Sequence, residues 1–250
     1  MIFNETGNRA LPTIILLHGG GLSDWSWDKI THQLSEKYNV VTPIIDGHGE
    51  DGKEEFTTIE VCAEKVIDYI KTQLGGKVYA IGGLSIGAQI ACEVLSREKN
   101  IADYAIIESA LVYPIKGTTA LAVPTYQLCY GLIKARWFAK LQAKTLCILP
   151  ELFEKYYQDS LKITKKSLIN ITVSNGNYAL KPSIAHTQAK VLILVGEKEI
   201  GVMKRSAELL HQTIKGSKLY IAPKYKHGEI SLAHPNQYIE QLEELFERAI

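Results

Sequence analysis

The chain has no apolar run approaching the roughly 18–20 residues that a membrane-spanning helix needs. Positions 1–10 are polar and carry no apolar signal core, so a secretory leader is not expected. Charge of one sign is also missing. Lysine and arginine number 28 against 27 acidic residues, and no basic run or stripe stands out across the 250 residues. Nucleic acid and anionic membrane are therefore poor expectations as partners. Cysteine is scarce, with Cys62, Cys92, Cys129 and Cys147 scattered and no C-x-x-C pair. That spacing excludes a zinc ribbon or a dense disulfide framework, and reads instead as small buried apolar residues in a reduced, cytoplasmic protein. There is no internal repeat and no low-complexity linker.

The sequence does contain strands and helices in alternation. Residues 13–17 (Thr-Ile-Ile-Leu-Leu) form an unbroken apolar run, the pattern of a strand buried on both faces of a parallel sheet. The spacing predicts a helix over 25–37, a short strand at 40–41 ended by Pro43, and a helix over 59–74 closed by Gly75-Gly76. In that helix Val61, Val66, Ile67 and Ile70 are expected to face inward. A strand at 78–81, a helix at 86–97 and a strand at 104–107 follow. From 112 to 181 the periodicity is helical and continuous, and no strand is expected. The alternation resumes with strands at 191–195 and 218–221 and helices at 203–214 and 235–248. The expected fold class is α/β: a doubly wound, mostly parallel sheet of about 6–8 strands. Residues 1–111 and 182–250 would form the core, and 112–181 an inserted helical cap.

Gly83-Leu84-Ser85-Ile86-Gly87 carries the strongest chemical signal. It fits G-x-S-x-G and lies between a strand and a helix, where a nucleophile on a sharp turn needs neighbours without side chains. His18-Gly19-Gly20-Gly21 follows the first long strand, and glycines there let backbone N–H groups approach an oxyanion. Neither run is followed by a phosphate-loop lysine or a ribose-binding acid at the right distance, so a nucleotide is not expected. Of seven histidines, His227 sits in a loop after the last strand, at the sheet edge where Ser85 emerges. His234 competes, but precedes Pro235 at the start of the closing helix.

His18-Gly-Gly-Gly with Trp25 and Trp27, Asp46-Gly-His-Gly49, the serine turn, VLILVGEKE and HGEISLAHP together resemble the α/β-hydrolase superfamily, in its order and across nearly the whole chain. The resemblance implies an esterase- or lipase-like triad of Ser85, His227 and an acid, and implies that 112–181 acts as a lid. It implies oxyanion donors at the N–H groups of Gly20 and Ile86, with Gly21 replacing Gly20 in a lipase-like arrangement. Relatives commonly carry aspartate three residues after the glycine that ends the penultimate strand. Here Glu199 holds that position after Gly196; Glu108 is the runner-up and Glu197 the third choice.

The expected reaction is hydrolysis of a carboxylic ester or thioester with a small or medium apolar acyl group. No cofactor and no metal are expected, and the protein would be a monomer or homodimer. The same site could serve C–C bond hydrolysis, elimination of the menaquinone-pathway kind or cofactor-free perhydrolysis; a non-catalytic binding module is the reading of another class. The aromatics of the inserted block are read as a roof over the site. Lys134, Arg136, Lys140 and Lys144 are read as a solvated helix face, and His48 as structural.

Overall fold

Each unbroken apolar run becomes a strand with both faces covered. In the computed structural model, which describes residues 1–247, the strands are β1 (Ile2–Thr6), β2 (Thr13–Leu17), β3 (Asn39–Ile44), β4 (Val78–Leu84), β5 (Ala102–Glu108), β6 (Lys190–Gly196) and β7 (Lys218–Ala222). They form one sheet in the order β1-β3-β2-β4-β5-β6-β7. Only β1 is antiparallel to its neighbour. The helices are α1 (Asp28–Leu34), α2 (Ile59–Gln73), α3 (Ile86–Arg97), α4 (Thr118–Ile133), α5 (Arg136–Thr145), α6 (Phe153–Lys162), α7 (Lys165–Asn177), α8 (Gly201–Thr213), α9 (Glu229–Ala233) and α10 (Pro235–Glu247). The expected end of the last helix, Arg248, lies outside the described residues.

The pleat sends alternate side chains to opposite layers. Ile14 and Leu16 join a core with Ile30, Leu34, Tyr238 and Leu242 of α1 and α10. Ile15 and Leu17 join the other, with Val66 and Ile70 of α2, Ile90 and Val94 of α3, and Met203 and Leu210 of α8. Strand β2 has β3 on one side and β4 on the other, so the chain reverses its direction of travel across the sheet there. That switch point opens a crevice beyond the carboxyl ends of β2 and β4.

Four local expectations need correction. Residues 2–6 form an edge strand, invisible in a short segment whose side chains are mostly half-buried or exposed. Pro43 lies inside β3 rather than ending it. Strand β2 pairs with β3 only through Val41, so the missing Pro43 N–H is not needed on that side. The helix expected over 25–37 begins as a 3-10 turn at Asp24–Trp27 and ends at Leu34. Val61 faces out, at 36% exposure, while Val66, Ile67 and Ile70 are buried. Two thiols, Cys62 and Cys92, are buried as expected, whereas Cys129 and Cys147 are half-buried; all four are free. No strand occurs between residues 112 and 181.

Candidate active site

Ser85 caps α3 directly after β4 and has φ 56°, a left-handed conformation for a residue with a side chain. Such strain is tolerated only where the surroundings impose it. Here they do. A Cβ on Gly83 would lie 2.4 Å from the Gly87 carbonyl carbon, and one on Gly87 2.3 Å from the Leu17 oxygen. The two glycines let the turn close on itself and on the end of β2. The Ser85 N–H donates to the Glu108 carbonyl at 2.9 Å, pinning the turn to β5. The Ser85 hydroxyl makes no hydrogen bond among the described residues and is half-buried.

The sheet register pairs Leu17 with Gly83, which sets the 18–21 loop beside the serine turn. The conformation of that loop is held by His18. Its Nε2 accepts the Ile45 N–H at 3.0 Å, so its Nδ1 carries the hydrogen and donates to the Gly19 carbonyl at 2.9 Å. Burial, and next the facing His48 ring, push His18 down to about 3, so the ring is neutral. In a trans peptide the Gly20 N–H points opposite the Gly19 C=O that His18 holds. That N–H is unengaged among the described residues. The Ile86 N–H, at the first position of α3, has no intrahelical acceptor. Gly21 has φ +77° and open space around it.

Glu199 follows β6 and His227 follows β7. The His227 Nδ1 donates to Glu199 Oε2 at 2.7 Å, which leaves Nε2 as the free basic nitrogen. The other oxygen, Oε1, accepts the Ser109 hydroxyl at 2.7 Å and the Gly196 N–H at 2.8 Å. Burial alone would raise the Glu199 carboxyl. The hydrogen bond and charge of His227, then the Gly196 N–H and the Ser109 hydroxyl, outweigh burial and hold it below the usual carboxylate range. Two close approaches bring the base loop inward. A Cβ on Gly196 would meet the Tyr225 oxygen at 2.4 Å, and one on Gly228 would meet Leu84 at 2.9 Å, next door to Ser85. Ser85, Glu199 and His227 line one cavity of about 460 Å³.

The two other carboxylates lie elsewhere. Glu108 ends β5 and is buried; its Oε1 accepts the Ser231 N–H at 3.5 Å and its Oε2 has no partner. Burial pushes this carboxyl up to about 7, and it makes no hydrogen bond to His227. Glu197 is exposed, and its Oε2 accepts the Lys224 N–H at 2.7 Å. His234 stacks on the Tyr225 ring at 4.4 Å. His48 is fully buried, its Nδ1 bonded to the Asp46 carbonyl.

Two groups of the site escaped sequence reasoning. Ser109, with φ 55°, turns at the end of β5 to reach Glu199. Gln89, one turn beyond Ser85 on α3, donates to the Leu111 and Asn175 carbonyls and accepts from the Asn175 amide, which ties α7 to the nucleophile helix. The expected aromatic roof is not what the cavity presents. Its apolar wall is aliphatic, from Leu111, Ile115, Val202 and Met203, because the rings of α5 and α6 are turned elsewhere: Tyr156 is buried in the core, Phe153 stacks on Tyr157, and Trp137 packs edge-on to Phe138 and faces solvent. Among the described residues no group of three His, Cys, Asp or Glu side chains is placed to hold a metal.

Residues 14–216 match the model of the alpha/beta hydrolase family. The chain belongs to that family. A pimeloyl-[acyl-carrier protein] methyl ester esterase of Klebsiella pneumoniae is 31% identical over 78 residues, which are 31% of this chain and 30% of that protein. The chain thus spans about a third of that relative's length. A pimeloyl-[acyl-carrier protein] methyl ester esterase of Neisseria meningitidis is 22% identical over 239 residues, 92% of this chain and 91% of the relative. A thermophilic esterase from Thermogutta terrifontis, solved with malate bound, superposes with a TM-score of 0.79 at 20% identity, over 99% of this chain and 93% of that one. The seven-stranded, mostly parallel sheet is the alpha/beta hydrolase fold.

Proposed function

We propose that the protein is a serine hydrolase that cleaves a carboxylic ester or thioester with a small or medium apolar acyl group. The observation that carries this reading is the 2.7 Å bond from His227 to Glu199 in the cavity that also exposes the strained Ser85. Glu199 holds the imidazole in the tautomer whose free Nε2 can take the Ser85 proton. On substrate binding, Nε2 comes within hydrogen-bond reach of Oγ, and Oγ attacks the acyl carbon as the proton leaves. The N–H groups of Gly20 and Ile86 receive the tetrahedral oxyanion, aided by the positive end of α3. His227 then protonates the leaving alcohol or thiol, and water releases the acyl group by the same route.

The aliphatic wall suits an acyl chain better than a charged substrate. Residues 112–181, four helices and their connections, serve as the cap over this cavity. The methyl ester esterase relatives are consistent with an ester as substrate. Four free thiols suit a reducing, cytoplasmic setting.

A fluorophosphonate probe together with a panel of p-nitrophenyl esters and thioesters graded by acyl length tests the reading. Wild-type protein should be labelled and should hydrolyse short and medium esters, and Ser85→Ala should do neither. Labelling that survives Ser85→Ala would remove this serine from the mechanism.

A further inference from the structure

From position 109 to 150 the sequence contains no aspartate or glutamate, although the chain as a whole carries 27. The same stretch carries five cations, so the even charge of the whole chain hides a one-sided segment. Two of the five are engaged within the fold. The Lys134 ammonium donates to the carbonyls of Ser160, Leu161 and Ile163 at the end of α6. Arg136 pairs with Glu154 and lies over the Phe153 and Tyr157 rings. Lys116, Lys140 and Lys144 are exposed, and none is in an ion pair among the described residues.

The helices in this stretch present apolar side chains to solvent. Helix α4 has no charged residue in its 16 positions and buries only Ala122. Leu121, Leu128 and Leu132 recur at intervals of seven and four, which places them on one stripe of the helix. Leu128 is 87% exposed and Leu121 67%. Helix α5 buries small residues, Ala139 and Ala143, and turns Trp137, Lys140, Leu141 and Lys144 outward at i, i+3, i+4 and i+7. Trp137 is 64% exposed and Leu141 57%. Contrast α10, whose Tyr238, Ile239, Leu242, Leu245 and Phe246 are all buried. Large apolar side chains exposed on two adjoining helices mark a surface that something else covers.

The chemistry selects the occupant. Three exposed lysines without an ion-pair partner among the described residues call for an anionic partner. An uncharged, leucine-rich helix beside an outward tryptophan calls for hydrocarbon with a headgroup boundary, rather than the charged surface of an acidic protein. We propose that the α4–α5 face seats this protein on an anionic lipid bilayer surface. Leu128, Trp137 and Leu141 enter the boundary between headgroups and acyl chains, and Lys140 and Lys144 meet lipid phosphates. No helix among the described residues is long and apolar enough to cross a membrane, so the contact is peripheral. The face adjoins the Ser85 cavity through Ile115, which precedes α4 and lines that cavity.

Flotation with vesicles tests this, with Trp137 as a built-in reporter because Trp25 and Trp27 are buried. The purified full chain should float with vesicles of phosphatidylcholine and phosphatidylglycerol in equal parts, with a blue shift in tryptophan emission. It should stay behind with phosphatidylcholine alone. Lys140→Ala with Lys144→Ala should weaken partition roughly 30-fold, and added salt should do the same. Leu128→Ser should weaken it roughly tenfold. Thermal melting of these variants should match wild type, since the side chains are exposed. Failure of wild-type protein to float with the anionic vesicles overturns the proposal, as does partition indifferent to all three substitutions. A dimer in sedimentation that Leu128→Ser dissolves, without vesicle binding, assigns the face to a second copy and overturns it too.

Discussion

The Ser109 hydroxyl donates to Glu199 at 2.7 Å across the adjacent strand ends of β5 and β6. Glu199 is thereby gripped on one oxygen by Ser109 and Gly196 and left to face His227 with the other. In the proposed mechanism Ser109 would act through Glu199, as a positioning residue.

Ser109→Ala should therefore lower kcat about tenfold with little change in KM, the equivalent of one hydrogen bond to a charged group. The lost hydroxyl was one of the groups holding the Glu199 carboxyl down, so that carboxyl moves up toward its ordinary value. The acid-side limb of the kcat–pH profile should shift to higher pH. Steady-state kinetics across pH read both effects, and an unchanged profile would make Ser109 merely structural.

Glu199→Gln and Glu108→Gln separate the two candidate acids. The first removes the charge that faces the imidazole and should cost about 10³–10⁴ in kcat. The second leaves the His227–Glu199 bond in place and should cost less than about tenfold. The reverse ranking would move the acid role to β5.

Glu108→Gln should show itself instead in stability. Burial raises the Glu108 carboxyl to about 7, well above an unfolded glutamate. The folded state then holds this proton more tightly than the unfolded one. Its contribution is fully present below the unfolded pKa and is lost as pH rises through about 7. Over that window the wild-type protein should lose up to about 3 kcal/mol that the glutamine variant keeps. Melting temperatures measured from pH 5 to pH 8 should fall more steeply for wild type; parallel curves would contradict the burial argument.

Gly87→Ala adds a Cβ that would sit 2.3 Å from the Leu17 oxygen and 2.6 Å from the His18 oxygen. Backbone has to move, at a cost of about 1–3 kcal/mol or more. The movement also displaces the 18–21 loop, whose Gly20 N–H is the proposed oxyanion donor. Lower melting temperature together with lost probe labelling is the expected result. Full labelling at wild-type stability would mean the turn is looser than its contacts imply.

The sheet was legible because β2, β4, β5 and β6 are apolar on both faces, and few other structures tolerate such runs. The serine turn and the place of Glu199 just beyond β6 were legible from spacing, since Gly83, Gly87 and Gly196 mark where backbones approach. Ser109 was not, because its role depends on β5 and β6 being neighbours, which no local pattern states. The aromatic roof failed for a related reason. Helical periodicity separates two faces of a helix without telling which one meets the core, and Trp137 faces water. Glu108 was a rival by position alone; what no local pattern states is that its carboxyl accepts from Ser231 while the hydrogen bond to His227 is made by Glu199.

The order of the strands has a consequence for vectorial synthesis. A nascent chain delivers β2, the glycine loop, β4 and the strained Ser85 early, side by side at the centre of the sheet. Glu199 arrives only after the helices of 112–181 have been made, and His227 only after β7 at the sheet's edge. Under the proposed mechanism a half-made protein would carry an unarmed nucleophile. The onset of activity would then be coupled to completion of the fold.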